Sequence, residues 1–134
     1  IDLRTLQGVI THRYEVMARY TEVIKQAARD ELAKLQAVRH SDRWNALQRV
    51  RRALSRNEEM LAPEQRAEVD RAVAQDPMLS TLMQMRRELG RLWESSSASS
   101  EQLLADLQAW CQRAQQSGIA SLEQFAQRLT RYAA

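Results

Sequence analysis

Very little in this chain breaks a helix or forms a crosslink. Among 134 residues there are three glycines, two prolines, one cysteine and one phenylalanine. One cysteine, Cys111, excludes an internal disulfide and a multi-cysteine zinc site. No apolar run approaches the ~20 residues that span a bilayer. Lysine is scarce as well, because the twenty basic residues include only Lys25 and Lys34. What remains is rich in Ala, Leu, Gln, Glu and Arg, the strong helix formers. Apolar residues make up 44% and charged residues 28%, the balance of a folded globular chain and not of a disordered one. A chain of this length buries a sufficient core without metal or disulfide help. The expectation is all-α, about six helices, with one long N-terminal helix packed against shorter ones in a bundle. It forms a single helical domain over 1–134, and Ile1 in place of an initiating methionine points to a fragment of a longer protein.

The organising stretch is the last third. Apolar residues fall at Leu103, Leu104, Leu107, Trp110, Cys111 and Ala114, then at Leu122, Phe125, Ala126, Leu129 and Tyr132. Both sets follow the three-and-four spacing of a helix with one buried stripe. Between them Gly118 suits a left-handed residue that ends a helix. Ser121 with Gln124 reads as the capping box of the next helix. Trp93, Trp110 and Phe125 are the bulkiest candidates for the core of this hairpin. The predicted core is Trp44, Leu89, Trp93, Leu107, Trp110, Phe125 and Leu129.

Upstream, Asp2 caps a first helix whose stripe runs Leu3, Leu6, Ile10, Met17, Tyr20 and Ile24, then Ala28, Leu32 and Leu35. No glycine or proline interrupts Val9 to Arg39. This predicts one helix of about 35 residues, ~50 Å at the helical rise. Such length invites self-association along its exposed stripe. Ser41 caps a second helix bearing Trp44, Leu47, Val50 and Leu54. Pro63 opens a third, Asp76-Pro77 a fourth, and Ser99 with Gln102 a fifth after the serine-rich 95–100 loop.

From Arg39 to Arg56 six arginines (Arg39, Arg43, Arg49, Arg51, Arg52 and Arg56) face the single acid Asp42, a local excess of five positive charges. This is the candidate anion-binding patch. The plainer reading is a solvated face whose arginines pair with Glu58, Glu59 or Glu64, and it is preferred because no aromatic interleaving or glycine-rich loop accompanies the patch. Nothing points to catalysis or to a metal. The two histidines, His12 and His40, lie 28 positions apart with no second imidazole one turn away. Cys111 sits on a buried stripe with no histidine placed beside it. The segment reads as a binding or structural module, not an enzyme, without a cofactor of its own.

Two resemblances sharpen this. Arg86-x-x-Leu89-x-x-Leu92-Trp93, the run from Leu103 to Trp110-Cys111-x-x-Ala114, and Ser117-Gly118-Ile119-x-x-Leu122-x-x-Phe125-Ala126-x-x-Leu129-x-x-Tyr132 resemble the C-terminal extension of bacterial membrane fatty acid desaturases. Asp2, His12-Arg13-Tyr14, Met17, Ala18, Tyr20, Leu54-Ser55-Arg56 and Leu61 fit the same extension. The resemblance implies a non-catalytic domain for docking, oligomerisation or regulation. It would lie at the cytoplasmic face of the inner membrane, beside the membrane domain of a parent whose di-iron site desaturates acyl chains. The same run is similar to the helical insertion in the catalytic domain of a family of insertion-sequence transposases, which implies DNA binding through the arginine-rich face. That family carries an Asp-Arg-Phe-His stretch whose aspartate is a metal-binding carboxylate; here the positions read His12-Arg13-Tyr14-Glu15. The family's third carboxylate would fall beyond Tyr132. The lost aspartate favours the desaturase reading, with nucleic acid ranked behind other anionic partners.

Overall fold

The computed structural model describes residues 2–54, 62–94 and 99–131. Every regular element among them is helical: α1 (Leu3–Thr11), α2 (Arg13–Lys34), α3 (Asp42–Leu54), α4 (Pro63–Gln75), α5 (Pro77–Glu94), α6 (Ser100–Gln115) and α7 (Ala120–Leu129), with a 3-10 turn at Gln36–Val38. The fold is all-α, as composition predicts. Four helix starts form as expected: Asp2 accepts from Thr5 N–H at 2.8 Å, Ser41 from Trp44 N–H at 3.2 Å, Ser99 from Gln102 N–H at 3.1 Å, and Pro63 opens α4. The Ser99 box is half made, because the Gln102 amide bonds Asp106 at 2.8 Å instead. The serine run at 95–98, the acids Glu58 and Glu59, and Tyr132 lie outside the described residues.

The predicted 35-residue first helix is instead two helices and a turn. Thr11 Oγ1 donates to the Gln7 carbonyl at 2.8 Å, a back-bond that bends helices. Arg13 Nη1 donates to the Ile10 carbonyl at 3.1 Å, and His12 takes φ −104° and ψ 25° between them. At the far end Leu35 N–H is shared between the Glu31 and Leu32 carbonyls, the tightening that closes α2. His40 then turns the chain at φ +72°. Local side-chain bonds, not glycine or proline, make the break at His12. The rod that would carry self-association is therefore not continuous.

The chain clusters into two compact units, residues 1–23 with 84–134, and residues 24–83. In the first, α6 and α7 form the expected hairpin around Gly118, which sits at φ +75°. Its core is aromatic. The Tyr20 and Phe125 rings meet edge to face with centroids 5.3 Å apart, and Trp110 joins them at 6.4 and 5.9 Å. Such pairs add about 0.5–1.5 kcal/mol each beyond the area they bury. Trp110 Nε1 donates to the Met85 carbonyl at 2.8 Å, so the indole anchors α6 to α5 without leaving a buried donor unpaired. Burial pushes the Tyr20 hydroxyl well above its ordinary pKa.

Leu89, Leu107, Trp110, Phe125 and Leu129 are buried, whereas Trp93 and Trp44 are half-buried. Tyr20 takes the place in the core that the sequence assigns to Trp93. The Trp93 indole N–H is shielded and has no hydrogen-bond partner among the described residues. Ser121 is also reassigned. It lies inside α7, buried, and its hydroxyl donates to the Val23 carbonyl on α2 at 2.9 Å. The turn is closed by Ser117, which donates to the Ala114 carbonyl at 2.7 Å and accepts from Ile119 N–H at 3.2 Å. In the second unit α3 packs on α4, with Leu32, Leu47, Val50, Leu79 and Leu82 buried. No helix among the described residues is long and apolar enough to cross a membrane.

Replacing Trp110 by alanine is expected to destabilise the protein by about 3–5 kcal/mol through cavity formation. Trp110→Phe keeps most of the volume but removes the indole donor and its bond to the Met85 carbonyl, which keeps its partner within α5, an expected loss of about 0.5–1.5 kcal/mol. Denaturant unfolding monitored by circular dichroism measures both. Desolvation pushes the Cys111 thiol up to about 11. Cys111 should therefore resist thiol reagents at neutral pH in the folded protein and react once denaturant unfolds it.

Candidate functional site

The arginines that sequence groups together are separated by the helical turn. On α3 the buried side carries Leu47 and Val50. Arg43 lies toward that side. Its Nε donates to Asp76 Oδ2 at 2.9 Å and its Nη1 to Glu31 Oε2 at 2.9 Å. The Asp76 side chain is 8% exposed, and its other oxygen accepts from the N–H groups of Met78 and Leu79 at 3.0 and 3.2 Å, capping α5. Arg43 is thus a structural tie holding α3 to the end of α2 and the start of α5. As a member of the anion patch it is corrected: two carboxylates already neutralise it.

Desolvation pushes the Glu31 carboxyl up, but hydrogen bonds from Lys34 and Arg43 outweigh it and hold the group below the usual carboxylate range. Lys34 Nζ lies 3.1 Å from Glu31 Oε1. The Asp76 hydrogen bond, the largest influence on Arg43, holds the guanidinium in its charged form.

The stripe of α3 flanking the buried one carries Trp44, Gln48 and Arg51 at i, i+4 and i+7. It faces Arg29, Leu32 and Ala33 of α2, and Gln36 beyond its end. Together with Arg39 and His40 from the connecting turn they line a groove of about 490 Å³. Arg39 is aimed by its neighbour: its Nε donates to Gln36 Oε1 at 3.0 Å, and its Nη2 reaches the same oxygen. Three guanidiniums and an imidazole therefore line one groove, and the described residues of its lining include no carboxylate. Arg49 and Arg52 are exposed on the next stripe of α3, beside the groove and not in it. Arg56 lies outside the described residues.

Of the predicted patch, then, Arg39 and Arg51 come together. Arg29, His40, Trp44 and Gln48 join them as residues that sequence reasoning leaves out of the patch. The 29/33/36 and 44/48/51 spacings carry the signal, but the same helical spacing also assigns Trp44 to the core. His40 gives none, since a left-handed histidine has no sequence signature as strong as glycine's.

A second hollow, of about 340 Å³, is lined by His12, Glu15, Arg19, Arg128 and Arg131. It contains the first and last of the four positions matching the transposase Asp-Arg-Phe-His stretch, His12 and Glu15. His12 Nδ1 is 3.8 Å from Glu15 Oε2, and Arg19 Nη2 holds Glu15 Oε1 at 2.6 Å. A divalent cation here would meet three guanidiniums and a single, already paired carboxylate. The residues do not fit a nuclease metal. No group of three or more metal-ligating side chains occurs among the described residues.

Compared with known proteins, the chain matches a transposase family model, DDE_Tnp_ISL3 (Transposase), over residues 7–134. No curated protein and no solved structure matches it. The match falls on the second of the two resemblances read from the sequence and brings nucleic acid, ranked low there, to the front. No finding supports the desaturase origin or its di-iron parent.

The tie around Arg43 makes stability pH-dependent. A carboxyl whose folded pKa is lowered stabilises the fold above its unfolded value, near 4.5, and loses that contribution as pH falls through the folded value. Glu31→Gln should therefore lower the unfolding midpoint at neutral pH and converge with wild type in strong acid. Asp76→Ala removes a helix cap and a part-buried ion pair. We expect a loss of about 2 kcal/mol by thermal or denaturant unfolding, mostly from the cap because Arg43 stays solvated.

Proposed function

The chain belongs to the transposase family DDE_Tnp_ISL3, and from that membership we propose that it is a helical domain of an insertion-sequence transposase that binds DNA through the arginine-rich face of α2 and α3. One observation carries the reading: Arg29, Arg39, His40 and Arg51 line a single groove that has no carboxylate among the described residues of its lining, while Arg49 and Arg52 add exposed charge on the neighbouring face of α3. Guanidiniums suit this work because their planar donor fork matches phosphate oxygens. The domain contributes contact and positioning, not phosphodiester cleavage. The position matching the family's metal-binding aspartate is His12, set among Arg19, Arg128 and Arg131. The desaturase role has no observation that favours it over this one.

Binding of this kind releases counterions from the duplex, so the logarithm of its affinity falls linearly with the logarithm of salt concentration. Mobility shift or fluorescence anisotropy with duplex DNA should show binding at ~50 mM salt that weakens steeply by ~200 mM. Replacing Arg49, Arg51 and Arg52 together by alanine should flatten the slope by about two to three, at roughly 0.9 for each phosphate no longer neutralised. A protein that leaves duplex DNA unbound at the lower salt is not a DNA-binding domain, and this reading then fails.

A further inference from the structure

We propose that the groove between α2 and α3 is a site for an unpaired nucleotide, its base stacked on Trp44 and its phosphates held by Arg29, Arg39 and Arg51. The inference rests on the DNA-binding reading above and names the form of DNA that this groove takes.

The case begins with where Trp44 sits. A tryptophan on an amphipathic helix ordinarily belongs to the buried stripe, but the buried residues of α3 are Leu47 and Val50. Trp44 is half-buried and lines the groove with Gln48 and Arg51 at helical spacing. An indole kept partly open between cationic side chains is a stacking platform, since every base offers a π face. Gln48, half-buried on the same wall, supplies an amide with both donors and an acceptor for a base edge. At about 490 Å³ the groove falls within the ~300–1,000 Å³ range of small-ligand clefts. It is a recess and not a ridge. Reading a closed duplex calls for an element that enters the major groove, whereas a recess receives a base that has left the stack.

The backbone supports the same reading. His40 is the one non-glycine residue with positive φ among those described, at +72°, a conformation that strains a residue bearing a Cβ. The surroundings hold it there: Asn45 Nδ2 donates to the His40 carbonyl at 3.4 Å, and Ser41 N–H bonds the Val38 carbonyl at 3.1 Å. The result puts His40 in the lining of the groove with Arg39, where it adds a further donor for a phosphate flanking a stacked base. A lipid headgroup would use the arginines but neither the indole face nor the Gln48 amide, so a nucleotide accounts for more of the lining.

The test compares a short single-stranded oligonucleotide with its duplex by fluorescence anisotropy at ~50 mM salt, alongside quenching of the intrinsic tryptophan signal. Wild type should prefer the single strand and show quenching. Trp44→Leu should lower the ratio of single-strand to duplex affinity by about tenfold or more, the worth of one base on an aromatic ring. Trp44→Phe should keep most of that ratio while losing the quenching, which assigns the signal to Trp44 and not to Trp93 or Trp110. Circular dichroism confirms that both variants fold, and the Phe variant decides the matter should Leu not fold. Duplex binding with no single-strand preference, a ratio unchanged in Trp44→Leu, or quenching that persists in Trp44→Phe overturns this inference and leaves the DNA-binding reading standing. Absence of binding to either form of DNA removes both. Capture on anionic phospholipid vesicles, with no preference between the two oligonucleotides, assigns the groove to headgroups and overturns the proposal.

Discussion

The Asp76 carboxylate carries the most consequence of any side chain in the second unit. One oxygen terminates the unpaired N–H groups at the start of α5, and the other takes the Arg43 guanidinium. A buried carboxylate with either duty missing would leave unsatisfied groups away from water. With both in place, Arg43 reaches on to Glu31, and α3 is fixed in rotation about its own axis. That rotation decides what α3 shows to solvent: Arg49 and Arg52 on one stripe, and Trp44, Gln48 and Arg51 on the groove. The cationic groove is in this sense a by-product of where one arginine is spent.

The first unit solves a different problem. Asp2 and Ser99 cap α1 and α6, but α7 starts at Ile119 without a side-chain cap, so most of the specificity lies in the interior. Tyr20, Trp110 and Phe125 come from three separate helices and meet at angles that favour ring edges on ring faces. The Ser121 hydroxyl and the Trp110 N–H each reach a main-chain carbonyl on another helix, Val23 and Met85 respectively. Polar anchors inside an apolar core fix helix register in a way that leucine packing alone does not.

Much of this is legible in the sequence, and the misses share a cause. Apolar spacing and capping residues locate α3 to α7, because Pro63, Asp76-Pro77, Ser99 and Gly118 act through local chemistry that a sequence displays. The break at His12 does not show, since it depends on Thr11 and Arg13 bonding main-chain carbonyls, and neither residue is a recognised stop signal. Ser121 looks like a cap and serves as a tertiary anchor, because its partner lies 98 positions away. The arginine patch is visible as a count but not as a surface. Linear proximity puts Arg43 beside Arg39 and Arg51, and the helical turn puts it on the buried stripe with two acids. The transposase resemblance is legible too, but one replaced carboxylate draws the eye away from the longer pattern that the family match follows.

His40 has a consequence for how this chain tolerates change. Its main chain adopts a shape that glycine takes freely, so conformational preference pulls position 40 toward the smallest residue. Its side chain stands among cations where glycine would contribute nothing. Drift toward a sturdier fold and retention of a basic rim thus pull in opposite directions at a single position, and the residue found there records which demand has prevailed.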